Sequence, residues 1–262
     1  MSRPPASFVT RFRLTGQTLL IDLGKPRRVL SSAPRGGGFA KARYVVNHQV
    51  EANPIALPVA ASMPASRSRW RDPARYLGGV GRSLGADHRC VGLMTAVPIK
   101  QVVVMREAEG PLWVEGFFTV GVSNAVRAGE PIGSPDGKQI PQIPGTINMI
   151  LVTNARLSTS AMVGAVQVAT EGKTAVLLSE GVPSWTGLPG ATGTGTDTIV
   201  VVCGAQETGP VLRYSGTHTK IGELIGRLVS RGVKEGLARS ARWSKSLPNR
   251  QFRRRGPVHK IG

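Results

Sequence analysis

The chain has only two cysteines in 262 residues, Cys90 and Cys203. They are too few and too far apart in sequence to form a disulfide framework. Cys203 ends the apolar run Ile199–Val202, which predicts a buried, reduced thiol. The four histidines, His48, His88, His218 and His259, are scattered and form no HxxxH or HExxH pair. Zinc spacing is absent as well, so no protein-bound metal is expected. Aromatic residues make up 5% of the chain, and no RNA- or DNA-reading motif occurs. No apolar run reaches membrane-span length, and the N-terminus has no apolar h-region. A cytoplasmic protein without membrane contact is therefore expected. The 33 glycines and 19 prolines follow no regular repeat, which excludes a fibrous chain.

Acidic residues are also scarce: 15 Asp and Glu stand against 34 Lys and Arg, for a net charge of +19. Such an excess directs attention to polyanions. The charge is uneven, however. Arg227–Gly262 carries eleven Lys or Arg and one acid, Glu235. Gly145–Asp197 is nearly neutral, with Arg156 and Lys173 against Glu171, Glu180 and Asp197. The charge sits at the ends of the chain, away from its strongest motifs. It reads as a solubilising bias, and no specific nucleic-acid partner is expected.

A hydrophobic content of 40% supports a real core. The pattern predicts an α+β (or α/β) fold: one domain over residues 1–240, with a mixed β-sheet packed against helices. A basic, flexible tail is expected over 241–262. Val9–Leu23 alternates around Gly16 and predicts a hairpin. Further strands are expected at Val29–Ala33, Tyr44–Val50, Val102–Glu107 and Leu112–Val122. Thr146–Thr153 and Thr198–Cys203 have the apolar character of buried strands. A short helix is expected near Pro73–Leu77. Ser158 is placed to cap a helix from Thr159 to about Glu180, ended by Gly181. From Ile221 to Val233, apolar residues recur at helical spacing.

Four polar segments fall at predicted strand ends or helix starts, where such folds place their sites. Gly36, Gly37 and Gly38 let the backbone approach a ligand closely. Asn124 offers an amide for an oxyanion or a carboxamide, and Ser123 beside it is a possible nucleophile. Asn148 sits inside an apolar run, so it is either structural glue or site-facing. Glu171 and Lys173 interrupt a helix of small apolar residues and project about 200° apart, so at most one faces inward. Glu171, if buried, would suit a general acid or base. In Thr192–Asp197, alternating Gly and Thr supply amides at Gly193 and Gly195, hydroxyls that include Thr196, and the Asp197 carboxylate. His218 lies at the start of the last helix, where the dipole favours neutral imidazole.

The order of these segments is more specific than any one of them. Ser31 to Ala33 with Gly36 to Gly38, then Asn47, then TVGVSNAVRAG from Thr119, come first. GTINMILVTNARLS from Gly145, TEGKT from Thr170, GTGTDTIVVV from Gly193 and GTHTKIGELIG from Gly216 follow. Together they resemble the adenosylcobinamide amidohydrolase family. The resemblance implies hydrolysis of the amide joining the corrin side chain to aminopropanol. The products would be adenosylcobyric acid and 1-amino-2-propanol, in corrinoid salvage for cobalamin biosynthesis. Cobalt would arrive with the substrate, so no cofactor is implied. Glu171, Asp197 and His218 would handle protons and converge on one pocket, with Thr196 a possible nucleophile. Asn124, Asn148, Gly36, Gly37, Gly193 and Gly195 would bind the substrate. Two alternatives stay open: a non-catalytic corrinoid-binding protein, and a basic nucleic-acid-binding protein. The oligomeric state is not legible in the sequence.

Overall fold

The first strands form as the alternation predicts. β1 (Arg11–Thr15) turns through Gly16 and Gln17 into β2 (Thr18–Ser31), with Thr15 opposite Thr18. A computed structural model describes residues 8–50, 72–86, 89–131, 145–205 and 209–246. β2 is longer than the sequence pattern suggests, because Val29–Ser31 belongs to it. A register shift between Asp22 and Arg27 absorbs Leu23 to Pro26 as an irregularity, while pairing with β3 (Gly38–Gln49) continues on both sides. α1 (Pro73–Ser83) extends well past the short helix expected there. It is capped by Asp72, whose side chain accepts from the Arg75 amide at 2.8 Å.

β4 (Cys90–Thr95), β5 (Val103–Glu109), β6 (Leu112–Val120) and β7 (Ala125–Val126) follow. Next come β8 (Ile147–Thr153), β9 (Arg156–Leu157) and α2 (Thr159–Ser179). β10 (Gly193–Thr194), β11 (Thr198–Val202), β12 (Val211–Leu212) and α3 (Lys220–Ser246) complete the described chain. Ser158 caps α2 as expected, accepting from the Ala161 amide at 3.1 Å. α3 runs six residues into the segment expected as a tail; residues 247–262 lie outside the described residues. Among the described residues, no helix is long and apolar enough to cross a membrane.

The main sheet has the order β4-β3-β2-β11-β8-β6-β5, with β1 on β2. β11 with β8 and β3 with β4 run parallel; the other pairs are antiparallel. This is a mixed sheet of α+β type, in one folded unit. The sheet doubles over on itself: Asn47 of β3 touches Asn148 of β8, although β2 and β11 lie between their strands in the order. Strand alternation divides the core accordingly. Ile150, Val152, Val200 and Val202 point between the two sheet layers, against Leu19, Val45 and Leu93. Met149, Leu151, Ile199 and Val201 point outward, under α2 and α3, with Met162, Leu224 and Leu228. On the opposite side, Leu20, Val46 and Cys90 pack beneath α1. Cys203 is buried, as predicted, and burial pushes its thiol pKa up.

One carboxylate is fully enclosed between the layers. Glu115 is 0% exposed and accepts from the amides of Val9 (2.6 Å) and Thr10 (2.9 Å). Arg106 lies 3.6 Å away. This anchor ties the start of the chain to β6, and Phe12 packs edge-on against Phe117 beside it.

Candidate active site

The candidate site lies where β8 and β11 begin. The GTGTD turn leads out of β10 and folds the Asp197 side chain back over it. Its Oδ1 accepts from the Ile147 amide (3.0 Å) and the Thr194 hydroxyl (2.5 Å). Its Oδ2 accepts from the Thr194 amide (3.1 Å) and from Lys173 Nζ (2.5 Å). Four donors therefore hold one carboxylate, two on each oxygen. That arrangement suits a group that orients its neighbours.

Lys173 reaches the turn from α2. It stands on the same stripe as Met162, Ala165, Ala169, Val176 and Leu177, all buried. Its side chain is only 9% exposed, and among the described residues it pairs with Asp197, whose side chain is 16% exposed. A desolvated ammonium of this kind is held by its counter-ion and by the fit around it. Gly193 is part of that fit. A Cβ there would lie 2.5 Å from Asp197 Oδ2 and 2.6 Å from Lys173 Nζ, so any larger residue would push the pair aside.

Beneath the turn, the interlayer core becomes polar. Thr146 Oγ1 is 2.9 Å from the Thr196 carbonyl and 3.3 Å from Asn148 Oδ1. Asn148 Nδ2 donates to Asn47 Oδ1 (3.0 Å) and to the Met94 carbonyl (2.8 Å), and Asn47 Nδ2 donates to Thr119 Oγ1 (3.1 Å). Asn47, Thr119, Asn148 and Thr146 are all buried. Asn148 is therefore the glue alternative: the protein uses both ends of its amide. A closed network of this kind fixes the geometry of the turn above it.

The rim is open. Gly195, Thr196 and Ser123 are exposed. Thr196 Oγ1 donates to the Gly145 carbonyl at 3.2 Å. Asn124 sits against Gly145 so closely that a Cβ on Gly145 would collide with Asn124 Oδ1. That oxygen is buried and has no hydrogen-bond partner among the described residues. A buried acceptor without a donor is costly, about 1–3 kcal/mol, and is expected where a ligand supplies the donor. β7 pairs with β10, which brings the Asn124 loop beside the GTGTD turn.

Gly36 and Gly37 lie at the same end of the sheet. Ser32 just before them exchanges bonds with Ile199: Ser32 N to Ile199 O at 3.0 Å, and Ile199 N to Ser32 Oγ at 3.1 Å. Thus Asp197, Thr196, Gly193, Gly195 and Asn124 gather, with Asn148 beneath them and the glycine loop alongside.

Glu171 and His218 do not join this group. Glu171 is exposed on the outer face of α2 and accepts from Gln167 at 3.2 Å, while Lys173 takes the inward direction. The expectation that Glu171 turns inward is corrected by the helix phase, which places it off the buried stripe. His218 is exposed just before α3, where Ser215 Oγ donates to the Ala161 carbonyl at 2.6 Å. Lys173 is twelve residues further along α2, roughly 18 Å at 1.5 Å per residue. The convergence of Glu171, Asp197 and His218 on one pocket therefore does not occur. Glu171→Gln and His218→Ala should each leave single-turnover rates within about twofold of wild type, as solvated surface changes do. A loss of a hundredfold in either would restore that residue to the site.

Of the Glu171 and Lys173 pair, Lys173 is the one that reaches the site. Its signal was present: it falls on the stripe of Met162, Ala169 and Val176, where a charge is out of place unless it has a partner. Thr194, Thr146, Asn47 and Thr119 lie in segments that the sequence already singles out, but their hydrogen-bond partners become visible only in three dimensions.

Comparison with known proteins bears on this geometry. A protein of Methanocaldococcus jannaschii described as uncharacterized is 34% identical over 237 residues, covering 84% of this chain and 86% of its own. The adenosylcobinamide amidohydrolase of Methanosarcina mazei is 30% identical over 234 residues, covering 87% and 97%. Among solved structures, a Burkholderia beta-aminopeptidase aligns at a TM-score of 0.42 and 10% identity, over 88% of this chain and 82% of its own. That likeness assigns nothing to the site. The family model for adenosylcobinamide amidohydrolase matches residues 6–245, and the chain belongs to that family of hydrolases.

Proposed function

We propose that the protein hydrolyses the amide between the corrin side chain and aminopropanol in adenosylcobinamide, releasing adenosylcobyric acid and 1-amino-2-propanol. The observation that carries this reading is the family match over nearly the whole chain, 6–245, which includes every residue of the clustered site. The geometry supports amide chemistry. Amide hydrolysis must stabilise negative charge on the carbonyl oxygen and protonate a poor amine leaving group. Lys173 offers a fixed positive charge and protons beside the glycine backbone of Gly193. Asp197 positions that ammonium rather than acting on the substrate itself. Thr196 presents a solvent-reached hydroxyl on the same turn, suited to attack the carbonyl or to hold the attacking water. Asn124 Oδ1, which meets no donor among the described residues, suits an N–H of the substrate amide. The open rim at Gly195, Thr196 and Ser123 fits a bulky macrocycle that presents one side-chain amide and remains outside the protein.

Incubation with adenosylcobinamide should release aminopropanol, detected by mass spectrometry, while the corrin visible spectrum is retained. Absence of release from folded protein at saturating corrinoid would favour the binding-only alternative. The reaction is expected to proceed without a protein-bound metal. Among the described residues, no group of three or more His, Cys, Asp or Glu could hold one. Activity should survive exhaustive dialysis against a chelator. Loss of activity that one divalent ion restores would contradict this.

A further inference from the structure

The irregular stretch of β2 carries Lys25, Pro26, Arg27 and Arg28 to the end of the sheet opposite the Lys173–Asp197 pair. There Lys25, Arg27, Arg28, Lys41 and Arg156 line one cavity of about 320 Å³, beside Cys203 and Gly204. No acidic residue lines it among the described residues.

The arginines of this cavity are held by neutral oxygens. Arg27 is 8% exposed; its Nε donates to the Cys203 carbonyl (2.6 Å) and its Nη2 to the Thr153 carbonyl (2.5 Å). Arg28 donates to the Leu157 carbonyl (3.0 Å) and to Thr159 Oγ1 (3.1 Å). Arg156 donates to the Gly209 carbonyl at 2.6 Å. All of these acceptors are neutral. On α3, by contrast, Arg227, Arg231 and Arg239 each meet a glutamate. Carbonyls fix the direction of the cavity guanidinium groups without neutralising their charge. Burial pushes the Arg27 pKa down to about 10, opposed by Cys203 and Glu115. A guanidinium has five N–H donors, and the two bonds above leave Arg27 with donors to spare in a wall of the cavity.

We propose that this cavity binds a compact, multiply charged phosphate anion: pyrophosphate, or the phosphate chain of a nucleotide. The arginine fork matches phosphate oxygens in pairs. At about 30 Å³ per water, the cavity holds roughly ten waters, enough room for a diphosphate. A polynucleotide fits less well. The innermost cation is almost closed off, and the lining has no aromatic side chain on which a base could stack.

The test is calorimetric titration of the full chain, at constant ionic strength, with sodium pyrophosphate and with ATP. One-to-one binding that weakens as salt rises is expected. Tighter binding of ATP identifies a nucleotide, and equal binding identifies the phosphate chain alone; both support the site. Lys41→Glu with Arg156→Glu should weaken binding at least about tenfold, the scale of one or two charge-assisted hydrogen bonds, without shifting the melting temperature of the free protein. If that double variant fails to fold, Lys41→Ala tests the same point, because Lys41 is exposed on β3. No binding at millimolar pyrophosphate would overturn the proposal, as would binding unchanged in the variants. Displacement of pyrophosphate by a single-stranded oligonucleotide that binds more tightly through the same residues would assign the face to nucleic acid instead. None of these outcomes depends on the hydrolase reaction.

Discussion

Asp197→Ala is expected to lower stability by about 3–5 kcal/mol, the cost of leaving a buried charge without its partner, and to abolish turnover. The variant removes the counter-ion that Lys173 meets and strands the Ile147 and Thr194 amides that the carboxylate accepts from. For a chain of this size, the melting temperature should fall by roughly 6–20 °C. The loss of activity has a second cause, separable from the first. Paired substitution of Lys173→Met with Asp197→Leu removes both charges and should recover much of the stability, as apolar replacement of buried ion pairs often does. It should not recover turnover, because the ammonium is gone. Loss of an acid–base or charge-stabilising group typically costs about 10²–10⁴-fold. Wild-type melting in Asp197→Ala would show that the pair is not buried in solution. Turnover in the doubly substituted protein would remove Lys173 from the chemistry.

Glu115→Gln should cost about 2–4 kcal/mol, since hydrogen bonds to a charged group contribute about 1.5–3 kcal/mol each. The replacement has nearly the same shape. One of its two ends, however, must present an N–H₂ to a backbone amide that is itself a donor, at Val9 or Thr10. Arg106 also loses its buried counter-charge. The effect should be local in structure: amide exchange at Val9, Thr10 and along β1 should accelerate first. Chemistry should be spared, because Glu115 lies opposite Val152 whereas Asn148 lies opposite Thr119. Four residues of strand separate them, about 13 Å. Unchanged exchange in β1 would mean that the hairpin holds without the anchor. A large loss of turnover in protein that remains folded would mean that the two ends of the sheet are coupled.

Most elements of the second half were legible in the sequence, because each carries one period throughout. Thr146–Thr153 and Thr198–Cys203 are continuous apolar runs, and they became the parallel pair at the sheet centre. Ser158 capped its helix where expected. The first half was less clear. Val29–Ala33 reads as separate because Gly24 and Pro26 mimic a turn, while the pairing partner that carries β2 through them lies in β3. The site divided along the same line. Asp197, Thr196, Gly193 and Gly195 share one turn, and local spacing found them. Acid–base chemistry favours Glu171, whereas helix phase turns Lys173 inward. His218 was placed by its helix start, a feature that says nothing about which end of the sheet that start occupies. Thr119 and Thr146 carry no sequence signal beyond strand polarity; their role arises where the doubled sheet brings β3 against β6 and β8.

That doubling also bears on how the chain is made. The edge of β2 at Val29–Ser31 pairs with β11, and Ser32 meets Ile199 across a separation of 167 residues. On a ribosome working at about 5–20 residues per second, the partner emerges roughly 10–30 s later. Throughout that interval the nascent sheet carries an open seam through its middle, between the hairpin half and everything that follows. An apolar strand edge waiting that long is a target for wrong partners. Yield from slow or crowded translation should therefore depend on holdase chaperones that shield the first fifty residues, more than on any property of the finished fold.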